Sequence, residues 1–178
     1  EFKGYDYRDL KVNAEMAGQN IQVTSDYKDT NLAFDIEGDI DMKSPDKAYD
    51  LTIEISHAFL KELHLTNEEL KMKTDIQVDL AYGSMRRING DLSIRDFAIY
   101  KNESLYRVDS FLIASLNEDR KTELTLKSDI MMAHFRGNIS VFDIGKTLKQ
   151  HLNDYYELSG ASEVIKDEQN FDFEIDIK

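Results

Sequence analysis

The sequence predicts a mostly β fold, in which about ten antiparallel strands form one curled sheet, together with one short amphipathic helix. Three observations support this fold class. Apolar and polar residues alternate through most of the chain, short turn-forming stretches separate the alternating runs, and a glycine recurs on the apolar side of three similar segments.

The alternating runs follow one another from the first residues to the last. The runs before the turn at 44–46 carry their apolar residues at Leu10, Val12, Ala14, Met16, Ile21, Val23, Leu32, Phe34, Ile36, Ile40 and Met42. The next runs carry theirs at Tyr49, Leu51, Ile53, Ile55, Leu70, Met72, Ile76, Val78, Leu80, Tyr82, Ile88, Leu92 and Ile94. A long run covers 105–116, and the last runs use Leu124, Leu126, Ala133, Phe135, Phe171, Phe173, Ile175 and Ile177. Short turns between runs predict an antiparallel meander.

Three local departures from the alternation predict other structures. Phe97 and Ile99 are out of phase with Ile94, which predicts a bulge or bend. Residues 141–156 have the helical spacing of an amphipathic helix, and Ser140 with Asp143 has the form of a capping box. A single helical turn is predicted within 58–66.

The repeated glycines are Gly38, Gly90 and Gly137, within the segments "IEGDIDM", "INGDLSI" and "FRGNISV". Each glycine is in phase with the apolar residues of its strand, so it leaves an inward position without a side chain. The spacing predicts a repeat unit of roughly 50 residues. Glycines at similar places along successive strands let a sheet curl around its own apolar face.

An apolar sheet face has to be covered. The sheet can close into a barrel, pack on a second sheet, or fold over and leave a slot. Its interior is then either a dry core or a site for an acyl chain, and the pattern alone favours the dry core.

Composition excludes several classes of function. The formal net charge of -13 argues against nucleic acid and against docking on anionic lipid surfaces. The chain has no Cys, so disulfides and thiolate-bound metals are excluded. The last residues, "FDFEIDIK", stop in the middle of an alternating run, and we expect residues 1–178 to be a single segment of a longer repeat protein.

The residue types of catalytic and metal sites lack the spacing that such sites need. His57, His64, His134 and His151 form no ligand motif, and no nucleophile elbow, phosphate-binding loop or dinucleotide motif occurs. The acidic run Asp35, Glu37, Asp39 and Asp41 is interpreted as a solvated outer face, because same-face carboxylates in a strand lie roughly 6.6 Å apart. We therefore expect no catalytic residues, no metal, no cofactor and no enzymatic activity.

Three stretches of the chain resemble the TamB family of AsmA-like bacterial envelope proteins, and most closely its versions from the Bacteroides group. They are "NLAFDIEGDIDM", "LKMKTDIQVDLAYGSMRRINGDLSIRDFAIYKNESLYRVDSFLIAS" and "LTLKSDIMMAHFRGNISVFDIGKTLKQHL". The resemblance lies in the recurring order of strands, glycine motifs and hairpins, and it extends from about residue 8 to residue 157.

The resemblance implies a long periplasmic protein that is anchored in the inner membrane by a helix outside this segment. It implies a taco-like curled sheet, continued by neighbouring repeats, whose hydrophobic groove shelters phospholipid acyl chains on their way to the outer membrane. It also implies a part in assembling outer-membrane proteins with a partner barrel. The implied groove lining is Leu32, Phe34, Ile36, Ile40, Met42, Leu51, Ile53, Ile55, Met72, Ile76, Val78, Leu80, Ile88, Leu92, Ile94, Leu124, Leu126 and Phe135.

Lipid transport through the groove is the leading hypothesis for function. The alternative is a scaffold or chaperone segment for outer-membrane barrel proteins, in which a free sheet edge pairs with client strands. A closed lipocalin-like barrel suits the chain length, but the sequence has no Trp for the lipocalin signature. An enzyme is the last alternative.

Overall fold

The computed structural model describes residues 3–43, 45–83, 87–118, 121–153 and 170–178. Within these ranges, ten antiparallel strands form one curled sheet that does not close, and a single short helix accompanies it. The predicted fold class is therefore confirmed.

Each strand pairs with its neighbours in sequence, so the sheet is a simple meander with β1 and β10 at its two edges. The elements are β1 (Lys11–Ala17), β2 (Asn20–Lys28), β3 (Leu32–Asp41), β4 (Lys47–Phe59), β5 (Leu70–Tyr82), β6 (Ile88–Lys101), β7 (Ser104–Glu118), β8 (Lys121–Ser128), β9 (Met131–Gly137), α1 (Ile144–Asn153) and β10 (Phe171–Ile177).

The strand register places the alternating apolar residues on one side of the sheet. Ile36 is opposite Ile53, Ile53 is opposite Ile76, and Ile76 is opposite Ile94. Directly paired residues of adjacent strands share a face. The side that carries these isoleucines is called the apolar face below, and the opposite side is called the acidic face.

The buried core is small and lies in two separate clusters. In an antiparallel meander, the loops after β1, β3, β5, β7 and β9 share one margin of the sheet, and the remaining loops share the other. At the second margin, Tyr27, Leu32, Ala58 and Leu63 are buried together. At the first margin, the helix contributes Ile144 to a cluster with residues of β9 and the loop that follows it.

The predicted bulge after Ile94 is confirmed. The register between β5 and β6 shifts between Lys73 and Asp75, and Asp96 has a φ of 49°, in the left-handed region. The predicted helical turn within 58–66 consists of hydrogen-bonded turns, in which the Leu63 N–H donates to the Phe59 carbonyl at 3.0 Å. This turn carries Leu63 into the second-margin cluster.

The predicted bounds of the helix and its capping box were wrong at the N-terminal end. Residues 141–143 form a turn, in which the Asp143 N–H donates to the Ser140 carbonyl at 2.8 Å. The Asp143 carbonyl then accepts the first helical hydrogen bond from Thr147 N–H at 2.9 Å, so Asp143 is the N-cap. The Ser140 hydroxyl has no hydrogen-bond partner within the described residues. Residues 154–156 of the predicted helix lie outside the described ranges.

A half-buried apolar face as the candidate binding site

The residues of the predicted groove lining divide into two groups in the structure. Those in the packed clusters, where they act as ordinary core, are Leu32, Phe34, Ile55, Met72, Leu124 and Phe135. The others lie between the two clusters, and they are Ile36, Ile40, Met42, Leu51, Ile53, Ile76, Val78, Leu80, Ile88, Leu92, Ile94 and Leu126. Met42 is 36% exposed, and the remaining members of this second group are all half-buried.

Seven members of the second group are direct cross-strand partners of one another and form two continuous rows. Beside the row of isoleucines from Ile36 to Ile94, a second row runs from Leu51 through Val78 to Leu92. Both rows cross the central strands of the sheet without an intervening polar residue. Both rows are entirely aliphatic over β4, β5 and β6, although the buried Thr74 of β5 lies on the same face opposite Ile55.

The apolar face is open to solvent over much of its extent. Exposure is greatest on the edge strands, where Met16 of β1 is 72% exposed and Ile177 of β10 is 74% exposed. The apolar surface therefore exceeds what the two clusters cover.

The three repeated glycines lie where the neighbouring strand approaches closely. A Cβ at Gly38 would lie 2.6 Å from the Asp50 carbonyl oxygen, and one at Gly137 would lie 2.8 Å from the Asn170 carbonyl oxygen. At Gly90 a Cβ would overlap the carbonyl oxygen of Asp79, and the φ of +126 is in a region that side chains rarely adopt. A side chain at any of these positions would push two strands apart.

A polar network beside Gly90 interrupts the apolar face and was not found from the sequence. The β6–β7 ladder begins at Gly90, so the Ile88 carbonyl lies beyond it. The Ser115 hydroxyl and the Asn117 side-chain amide donate to this carbonyl at 2.8 Å and 2.5 Å, and the Thr122 hydroxyl donates to Asn117 Oδ1 at 2.9 Å. These side chains replace missing ladder bonds, and their role is structural.

The acidic face has a pattern that also depends on register. Asp39 is opposite Asp50, Asp50 is opposite Asp79, and Asp79 is opposite Asp91, so one row of carboxylates crosses four strands. Like charges placed directly opposite each other destabilise a sheet. Within the described residues, no group of His, Asp or Glu side chains is arranged to hold a metal ion.

A second polar cluster fastens the N-terminal segment to the sheet. The Tyr5 and Tyr27 hydroxyls both donate to Asp29 Oδ2, at 2.5 Å and 2.6 Å, and the Asn31 and Leu32 N–H groups both donate to Asp29 Oδ1 at 2.7 Å. Burial opposes ionisation of this carboxyl group, but the hydrogen bonds outweigh burial and lower the pKa of Asp29 to about 2. The hydrogen bond to Asp29, together with burial, raises the pKa of Tyr27.

Two open depressions lie at the second margin, away from the half-buried part of the apolar face. One has a volume of about 600 Å³ and is lined by Phe59, Lys71, Tyr100 and several charged loop residues. The other has a volume of about 560 Å³ and includes Tyr5, Tyr27 and Asp29. Their linings are mixed in charge and bring together no nucleophile with a base, so we do not assign a site to them.

No further feature of the described residues identifies a membrane span or a histidine site. Within the described ranges, no helix has both the length and the apolar character that crossing a membrane requires. His57 and His64 lie against the carbonyl oxygens of Asp29 and Lys3, at 3.1 Å and 3.0 Å, rather than beside each other. Comparison of the chain with protein-family models, with curated proteins and with solved structures finds no significant match in any of the three. Membership of the TamB family therefore stays a prediction.

Proposed function

We propose that this chain is a segment of a periplasmic, inner-membrane-anchored protein whose apolar face shelters phospholipid acyl chains during transport toward the outer membrane. The observation that carries the proposal is the continuous, half-buried apolar face between the two packed clusters, opposite a face rich in carboxylates. The anchor, the location and the direction of transport come from the family resemblance. The proposed role needs no enzymatic activity and no cofactor.

The energetics of the face suit an acyl chain. Burying a methylene group contributes about 0.8 kcal/mol. Because the strands that carry the apolar face are already formed, an acyl chain can gain this free energy without any refolding of the sheet. The rows of isoleucine, leucine and valine offer no polar partner to one position over another. A chain bound there can therefore slide along the face without meeting a deep energy minimum, while the headgroup stays in water.

The proposal is tested with a photo-crosslinkable fatty-acid probe and the variant Ile53→Asp. Ile53 is half-buried at the centre of the isoleucine row, and a carboxylate there leaves a charge against the bound chain. We expect crosslinking to fall by at least about tenfold, which corresponds to about 1.4 kcal/mol.

The matched control is Thr52→Asp, because Thr52 is the exposed neighbour of Ile53 on the acidic face. It adds the same charge to the same strand, and crosslinking should stay at the level of the unmodified chain. Equal crosslinking in folded Ile53→Asp and Thr52→Asp variants would refute the assignment of the site. Mass spectrometry of the purified chain under native conditions gives an independent measurement of bound phospholipid.

A second function is supported by a separate observation, which is the pair of free sheet edges. β1 pairs with β2 alone and β10 pairs with β9 alone among the described strands. Free edges accept further strands by β-augmentation, either from neighbouring repeats or from outer-membrane barrel proteins that the segment would help to assemble. A proline at the centre of β10 should impair such pairing while acyl-probe crosslinking persists; loss of crosslinking with intact pairing would count against this function.

A further inference from the structure

The apolar face ends differently at its two margins over the central strands. At the second margin of β2–β5, the buried cluster that contains Leu63 covers the end of the face. At the first margin, Met42 after β3 and Tyr82 of β5 are 36% and 40% exposed. The buried cluster at that margin centres on Phe135 of β9 and lies several strands away. Among the described residues, the apolar face is therefore open at the first margin of β3–β5.

A lysine stands at this open end, on the same side of the sheet as the isoleucines. Lys47 is the direct partner of Tyr82 and is in phase with Ile53 along β4, so its side chain starts on the apolar face. The preceding Asp46 lies on the opposite side, where a Cβ at Gly83 would overlap its Oδ1. The stem of a lysine can lie along apolar neighbours while its ammonium group reaches water. Lys47 therefore places a cation where the apolar face meets solvent.

The lysines of the two margins differ in their partners. At the second margin, Lys61 Nζ lies 2.6 Å from Glu69 Oε1, and Lys101 also forms an ion pair with a glutamate. At the first margin, Lys43 and Lys47 are both exposed, and neither side chain has an ion-pair partner among the described residues. Lys43 lies in the loop that joins β3 to β4. The positions of Lys43 and Lys47, beside the exposed Met42, are called the first-margin rim below.

The loops that join β3 to β6 also differ in the sign of their charge. In the two loops at the first margin, the described residues and Lys47 include three cations and one carboxylate, which are Lys43, Lys47, Arg87 and Asp46. The loop from β4 to β5, at the second margin, carries three carboxylates and one lysine. An amphiphile with a negative headgroup therefore has its charge complement at the margin where the apolar face is open.

We infer that the first-margin rim binds the phosphate group of a phospholipid whose acyl chains lie on the apolar face. This inference rests on the lipid function proposed above, to which it adds the position and the charge of the headgroup. Lysine binds phosphate as a point charge rather than as a fixed fork, and both lysines are exposed, so the headgroup stays in water and the attraction weakens with salt. Inorganic phosphate matches the cations alone, whereas a phospholipid matches both the cations and the apolar face.

The first test measures the reactivity of each lysine in the full 178-residue chain. An amine-reactive reagent and mass spectrometry report labelling with phosphatidylglycerol, with diacylglycerol of the same chains, or with inorganic phosphate. We expect phosphatidylglycerol to lower the labelling of Lys47 at least about threefold at low salt, and the other two probes to leave it unchanged. Lys73, which is exposed on the acidic face of β5, is the internal control and should be labelled equally in all samples.

The second test reverses the charge of the rim. In the double variant Lys43→Glu with Lys47→Glu, crosslinking of phosphatidylglycerol through a photoreactive acyl chain should fall at least about threefold, and crosslinking of the matching diacylglycerol should persist. The matched control, Lys73→Glu with Lys127→Glu, makes the same change of net charge on the acidic face and should keep both signals. Each variant must give the circular dichroism spectrum of the unmodified chain, and a variant that does not is replaced by its glutamine equivalent.

Several results would overturn the inference. Equal loss of phosphatidylglycerol crosslinking in the two double variants would assign the effect to net charge. Protection of Lys47 by inorganic phosphate alone would indicate a site for the free anion, and an unreactive Lys47 in the lipid-free chain would mean that another part of the chain covers the rim.

The two lipids also separate this inference from the proposed function. If both lipids crosslink equally to the unmodified chain and in the Lys43→Glu, Lys47→Glu variant, the phosphate site fails and the lipid proposal stands. If neither lipid crosslinks to the unmodified chain, the proposed function fails and the phosphate site fails with it.

Discussion

The change Gly90→Ala is expected to be strongly destabilising, because two independent costs meet at this position. The φ of +126 suits glycine, and a side chain held in such a region costs about 1–3 kcal/mol. The added Cβ would also overlap the Asp79 carbonyl oxygen and lie 3.0 Å from Leu80 Cα, both of which are backbone atoms of β5. Backbone cannot move aside as the end of a flexible side chain can.

Forcing an atom into such a contact typically costs about 1–3 kcal/mol more. The two costs together give about 4 kcal/mol at the centre of their ranges. In a chain of this length each kcal/mol corresponds to about 2–4 °C, so we expect the melting temperature to fall by about 8–16 °C. Thermal unfolding followed by circular dichroism measures it.

Two other glycines separate the two costs. Gly18 has a φ of +68 and nothing within 4 Å of an added Cβ, so Gly18→Ala carries the backbone cost alone, about 1 kcal/mol. Gly145 lies in α1 with no such φ and with open space around it, so Gly145→Ala should stabilise the chain by about 0.5 kcal/mol. If the Gly90→Ala and Gly18→Ala variants have the same melting temperature, the close approach of β5 does not destabilise Gly90→Ala, and the reasoning fails.

Three further predictions concern the polar clusters and the acidic face. The pKa of Asp29 is lowered from 3.8 to about 2, so its contribution to stability is present above about pH 4 and is lost as the pH falls toward 2. Each pKa unit is worth about 1.4 kcal/mol, and with a discount for partial exposure we expect a loss of about 1–2 kcal/mol, smaller in Tyr5→Phe; equal acid sensitivity in chemical unfolding would contradict this. Asp79→Asn should raise the melting temperature by about 1–3 °C at low salt and by less in 1 M salt, and no rise at low salt would contradict the repulsion argument. Asn117→Ala should cost about 0.5–1.5 kcal/mol, because it removes one of the two donors to the Ile88 carbonyl, which keeps its hydrogen bond from Ser115, whereas the exposed Asn67→Ala should be neutral; equal melting of the two variants would argue against a structural role.

The sequence was sufficient for the fold class because alternation is a local property. Ile53 and Thr52 differ in parity, and parity alone decides which of them lies on the apolar face once a strand forms. The bulge after Ile94 was predicted for the same reason, since a change of phase can be read from a few residues. The helix start was missed because Ser140 and Asp143 fit two structures equally well, a capping box and a turn that precedes the helix.

Features that depend on register or on distant contacts could not be predicted. The carboxylate row from Asp39 to Asp91 exists because four separate strands align, and nothing local specifies that alignment. The contact between Tyr5 and Asp29 joins residues 24 positions apart. The division of the predicted lining into core and open face was also hidden, because the loop that carries Leu63 and the helix that carries Ile144 cover only the two ends.

The open part of the apolar face bears on the choice between a dry core and a binding surface. A dry core would leave Ile36, Ile53 and Ile76 as buried as Phe135, which is 1% exposed, yet all three are half-buried. Each of these half-buried isoleucines leaves up to about 1 kcal/mol of burial unrealised, and the row as a whole therefore favours contact with an apolar partner. A partner that is itself a folded sheet would need matching side chains at fixed positions, whereas an acyl chain needs only continuous apolar contact. Probes attached in turn at Ile36, Ile53 and Ile76 therefore separate the two: similar acyl crosslinking at all three positions fits a sliding chain, and crosslinking confined to one position fits a fixed partner.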